Sequence, residues 1–188
     1  MRIPFMAVWM VAGTAAQAQQ VAAPKPVQQA EAYSPKFTLP RGAQVVVVYV
    51  GSTGCGASRD AELKAAIRRM KPLIARQSDS LNVALSISGV AVDRVPDSGI
   101  VYLKSLGAWD EMIVGNNWVN TGVEHFVWRD SEVRPGVPQV VIYEREVRPE
   151  QTTITFGAFR RTARMIGVQP IVDWVSQGAP LPGKAPNP

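Results

Sequence analysis

An apolar run, Val45-Val46-Val47-Val48-Tyr49-Val50, ends abruptly in the loop Gly51-Ser52-Thr53-Gly54-Cys55-Gly56. A short continuous run rich in β-branched residues and bounded by turn residues reads as a strand buried on both faces. Such a strand needs covering layers on both sides of its sheet. The segment after the loop can supply one. Across Ser58–Arg76, Leu63, Ile67, Met70 and Ile74 recur at spacings of three and four, the pattern of an amphipathic helix. Arg59, Lys64, Arg68, Arg69, Lys71 and Arg76 occupy much of its remaining surface and are expected to be solvated.

The rest of the chain continues the alternation. Leu81–Val92 reads as a strand and Ser98–Met112 as a helix, followed by an irregular stretch with a short strand expected at Val123–Val127. Pro138–Glu144 and Thr152–Phe156 suit neighbouring strands of a hairpin with a wide loop. Helical patterns close the unit at Ala158–Ile166 and Pro170–Ser176. The order β-α-β-α, then β-β-α, predicts an α/β fold: a three-layer α/β/α sandwich around a mixed sheet.

The chain has 188 residues, enough for one domain with tails. Residues 1–18 combine Arg2, the apolar run "IPFMAVWMVAGTA" and Ala16-Gln17-Ala18, the order of a secretory signal peptide. Residues 19–35 are rich in Gln, Ala and Pro and read as a flexible linker, with a folded unit over 36–177 and a Pro-rich tail over 178–188. Export from a bacterial cytoplasm, to the periplasm or beyond, is the expectation. Membrane contact is expected only if the N-terminal segment stays uncleaved. A net charge of +5 without a long Lys/Arg run gives no nucleic-acid signature. The single cysteine cannot form an internal disulfide, so the core alone must stabilise the domain.

Three chemistries compete for the glycine-rich loop. A phosphate loop needs lysine at position 57, where Ala57 stands, and the glycines do not fall as G-x-G-x-x-G. The thiol fits better. Cys55 follows a buried strand and precedes a helix, where unpaired N–H groups and the helix dipole lower a thiol pKa. The Ser58 hydroxyl and the Arg59 guanidinium can add to the effect.

The strand, the turn Cys55-Gly56-Ala57-Ser58 and the following helix resemble the active-site unit of the thioredoxin-like superfamily. Gly136-Val137-Pro138-Gln139-Val140 is similar to that family's segment in which a cis-proline precedes a central strand. The resemblance spans roughly 43–176. It implies that Cys55, Ser58 and Pro138 form the site, and that Pro138 packs beside the cysteine and presents backbone groups to a partner. It further implies thiol–disulfide exchange with a protein or small thiol, and no cofactor or metal. The departures matter equally. Ser58 stands where dithiol members carry a resolving cysteine, Gly54 replaces a common tryptophan, and the run 45–50 lacks their buried acid. The alternative is a redox-inactive binding or scaffold subunit of a cell-envelope complex. His125, the only histidine, is expected to be structural, and Asp93, Asp97, Asp110, Glu111 and Glu124 are dispersed, with no close carboxylate pair that points to hydrolysis.

Overall fold

The computed structural model describes residues 32–36, 38–129 and 135–182. The expected signal peptide, most of the expected linker and the last residues of the tail lie outside them. Strand β1 (Gly42–Gly51) runs through the middle of a six-stranded sheet of order β3-β2-β1-β4-β5, with β6 also paired to β4. On one side β1 pairs in parallel with β2 (Ala84–Ala91), which pairs in parallel with β3 (Glu111–Ile113). On the other it pairs antiparallel with β4 (Gln139–Pro149), which is flanked antiparallel by β5 (Ile154–Phe156) and β6 (Arg160–Ile166).

The period of two along β1 divides the core into two clusters. Val45, Val47 and Tyr49 enter one cluster with α1 (Ala61–Leu81), α2 (Pro96–Ser105) and α4 (Val168–Ser176). Val46, Val48 and Val50 enter the other, covered by α3 (Thr121–Val123) and the π-helical turn Glu124–Trp128. The fold is therefore the mixed-sheet, three-layer α/β arrangement that the alternation predicts, with one layer thinner than the other. Among the described residues no helix is long and apolar enough to cross a membrane.

Several elements differ from expectation. Ala158–Ile166 does not form a helix. Its Arg, Ala and Met residues favour helix locally, but the open edge of β4 takes the segment as β6, a case of tertiary pairing overriding propensity. Val123–Val127 is helical rather than extended, because Asn120 caps it. The Asn120 side chain accepts from Val123 N–H at 2.8 Å and donates to the carbonyls of Ala91 and Gly115. The expected helix Ser98–Met112 stops at Ser105, and Glu111–Ile113 joins the sheet edge instead.

Lys71 also departs from its expected solvated face. It is buried, donates to the carbonyls of Leu106 and Ala108 at 2.9 Å each, and lies 3.4 Å from the centre of the Trp109 ring. Burial, with a smaller contribution from Arg68, pulls its pKa down to about 7 against the opposing Asp110.

Packing also continues past Gln177. Ala179 and Leu181 are buried, and the Gln77 side chain bonds the backbone of Gly178, Ala179 and Leu181. At the other end, Tyr33 donates to Asp110 at 2.6 Å and the Lys36 ammonium pairs with Asp79 at 2.8 Å.

Candidate functional site

Cys55 lies in the loop from β1 to α1, and this loop is tied down from below. Asp93, buried just past β2, accepts from the Thr53 N–H at 3.1 Å, from the Thr53 hydroxyl, and from the Ser52 hydroxyl at 3.3 Å. Ser52 in turn accepts from the Gly54 N–H at 3.1 Å, and its carbonyl accepts from the Cys55 N–H at 3.3 Å. The Ser52 and Thr53 hydroxyls and the N–H groups of Thr53, Gly54 and Cys55 are thereby all held.

After Cys55 the chain makes one 3-10 turn, Ala57–Arg59. The long helix begins only at Ala61, where Asp60 caps it by accepting from the Leu63 N–H at 2.9 Å. This corrects the expectation of a helix from Ser58. The positive end beside the sulfur is a local set of N–H groups, not the first turn of α1.

Three elements meet at Sγ. Partial burial raises the thiol pKa, and the Ser58 N–H, the Ser58 hydroxyl, the Ala57 N–H and the Arg59 charge together outweigh it. The net effect sets the Cys55 pKa below its ordinary value. The Ser58 hydroxyl is fully buried, and its oxygen has no hydrogen-bond partner among the described residues. It favours the thiolate electrostatically while making no bond of proper geometry in the resting state, so a sulfur anion would give it its missing acceptor. From the opposite side, the Cys55 thiol donates to the Val137 carbonyl at 3.5 Å. The Val137–Pro138 peptide is cis, and Pro138 is buried at the entrance to β4. Cys55, Ser58 and Pro138, separated by up to 83 positions in the sequence, thus converge at one end of the sheet.

A central strand with a parallel neighbour on one side and an antiparallel pair on the other, a cysteine at its helix-entering turn, and a proline facing that turn decide the architecture. The fold is thioredoxin-like. No protein-family model and no curated protein matches the sequence. Among solved structures the chain is similar to the thioredoxin domain of a thiol-disulfide oxidoreductase from Bacteroides vulgatus. The identity is 15% and the TM-score 0.41, over 71% of this chain and 78% of that one.

Beneath the thioredoxin-like turn lie residues that sequence reasoning did not single out. Tyr102 of α2 donates to the Ser58 carbonyl at 3.0 Å, and its hydroxyl oxygen is 2.6 Å from that of Tyr49 on β1. Burial is the largest influence on both tyrosines and pushes both above the ordinary phenol value, so the pair stays protonated at neutral pH. Gly51 passes directly over them, where an added Cβ would sit 2.6 Å from each hydroxyl oxygen. Tyr49 also stacks on Trp109 at 6.0 Å. Tyr49 was visible only as one more member of an apolar run. Asp93 was visible as a carboxylate without a role.

His125 takes no part in the site. It packs edge-on to Phe126 at 4.8 Å and beside Phe159 at 5.2 Å, on the thinner layer. Burial, Arg129 and Arg145 lower its pKa against Glu124. Among the described residues, no group of three or more His, Cys, Asp or Glu is placed to hold a metal ion.

Proposed function

We propose that this protein is an exported monothiol exchange protein, in which Cys55 acts as a thiolate that forms a mixed disulfide with a protein or small thiol. The observation that carries the reading is the convergence at Sγ. Two N–H groups, the buried Ser58 hydroxyl and a guanidinium favour the anion, while a backbone carbonyl beside Pro138 marks the opposite wall. A structural cysteine needs none of this polarity.

The exchange balances without a second cysteine in the chain. The Cys55 thiolate attacks one sulfur of a disulfide R–S–S–R′, forms Cys55–S–S–R and releases R′–S⁻. An external thiolate R″–S⁻ then attacks the R sulfur of the adduct, restores the Cys55 thiolate and departs as R–S–S–R″. Ser58 cannot resolve the adduct because its hydroxyl is not a redox group. The protein therefore depends on an outside thiol for turnover. The segment 1–18 supports delivery to an oxidising compartment such as the periplasm, where disulfide substrates persist.

The test is the rate of Cys55 alkylation by iodoacetamide against pH in the folded protein. A rate that titrates below about 8.5 is expected. A thiol that reacts only after denaturation, or that titrates at the ordinary value, overturns the reading.

A further inference from the structure

The tyrosine pair under the turn has no place in the exchange steps, yet one of the two, Tyr102, links the turn to α2. Tyr102 reaches from that helix to the carbonyl of Ser58, a residue 44 positions away. Ser58 is the residue whose N–H and hydroxyl both face the sulfur. Holding this carbonyl fixes the Ser58–Arg59 peptide unit, which adjoins the Ala57–Ser58 peptide that carries the N–H facing the sulfur, and so limits how far the turn can rotate. Tyr49 limits where the Tyr102 hydroxyl can go, because the two oxygens are 2.6 Å apart in a buried site.

We infer that Tyr102, held in place by Tyr49, is a positioning residue for Cys55: its hydroxyl pins the Ser58 carbonyl so that the 3-10 turn keeps its donors aimed at sulfur. The inference rests on the thiolate reading given above. A second, independent observation supports it. The Ser58 hydroxyl is fully buried and unpartnered among the described residues, an arrangement that would relax by a small rotation of the turn if nothing prevented it. The Tyr102 bond to the Ser58 carbonyl restrains that rotation, together with the turn's own bonds from Arg59 N–H to Gly56 and from Asp60 N–H to Ala57. The packing agrees, since Gly51 leaves room for both phenol oxygens only by having no Cβ.

The titratable and charged groups facing this centre come from four elements. They are Arg59 from the turn, Tyr49 from β1, Tyr102 from α2 and Asp93 from the end of β2. Tyr102→Phe removes one hydroxyl and alters none of the charges. The adjoining β4 segment presents the Val137 carbonyl, which is not titratable.

The experiment compares the pH midpoint of Cys55 alkylation in wild type, Tyr102→Phe and Tyr49→Phe, with thermal unfolding run on each. In wild type the midpoint lies below the ordinary value. In Tyr102→Phe it rises by about half to one unit, the effect of loosening roughly one hydrogen bond to the anion. In Tyr49→Phe it rises by less, because the bond to Ser58 survives. A merely structural hydroxyl lowers the unfolding temperature without moving the midpoint. An unshifted midpoint in folded Tyr102→Phe therefore overturns the inference while leaving the exchange reading intact. An ordinary midpoint in wild type overturns both. If Tyr102→Phe does not fold, Tyr49→Phe decides alone, and an unshifted midpoint there also refutes the positioning role.

Discussion

Replacing Ser58 by alanine separates stability from chemistry with opposite signs. In the resting protein the Ser58 oxygen is completely buried and without a partner among the described residues. An unsatisfied buried hydroxyl costs about 1–3 kcal/mol, and alanine removes that cost at the loss of one small atom. The variant is expected to be as stable as wild type or more stable by about 1 kcal/mol, a rise of at most about 2–4 °C in Tm for a domain of this size.

The thiolate, by contrast, loses one of the hydrogen-bond donors that favour it, alongside the N–H groups of Ser58 and Ala57. A bond to a charged group is worth about 1.5–3 kcal/mol, and solvent reaching a half-buried sulfur takes it to the low end of that range or below. One pKa unit corresponds to about 1.4 kcal/mol, so the alkylation midpoint should rise by about one unit. Thermal unfolding and iodoacetamide rates on the same two samples read both quantities. A variant that loses more than about 1 kcal/mol with an unchanged midpoint would refute the reasoning, because Ser58 would then be an ordinary structural hydroxyl.

Gly51→Ala forces a methyl group to within 2.6 Å of both tyrosine oxygens and should destabilise the protein by about 1–3 kcal/mol or more, with a raised thiol midpoint, in chemical denaturation and alkylation together. Asp93→Asn weakens the bonds to Thr53 and Ser52, so hydrogen exchange at the loop 52–56 should accelerate while the sheet amides stay protected. Stability relative to Cys55→Ala should depend on pH. The native thiol gives up its proton before the unfolded chain does, so wild type gains stability as pH climbs toward the unfolded value of about 8.5. That gain is lost as pH falls through the native pKa. Lys71 acts in a higher window. Its native pKa of about 7 lies below the unfolded value, so the unfolded chain binds the extra proton and stability rises with pH from about 7 to about 10. Lys71→Met should flatten that slope in unfolding measured across the same range.

Much of this was legible in the sequence because it rests on local rules. The run Val45–Val50 specified a doubly covered strand, and the four apolar residues of α1 specified the face it buries. Cys55, Ser58 and Pro138 stood out through the two short motifs around them. What was not legible depends on partners far along the chain. Nothing in the residues of Arg160–Ile166 announces a strand, since the reason is the unpaired edge of β4. Lys71 looks like its neighbours Arg68 and Arg69 until the turn after α2 folds its carbonyls over it. The Tyr49–Tyr102 contact joins residues 53 apart, and no spacing rule reports it. The helix start was misplaced because a 3-10 turn and an α-helix use the same residues, and only the Asp60 cap distinguishes them.

The Tyr33–Asp110 and Lys36–Asp79 contacts have a consequence for presentation. They fasten the incoming chain to the last turn of α1 and the foot of the β2–β3 region, whereas the sulfur sits where α1 begins. The 21 residues of α1 separate the two, about 30 Å at the usual helical rise. The described chain therefore enters the domain at the end of α1 remote from the sulfur. Attachment through that side should leave the alkylation rate untouched.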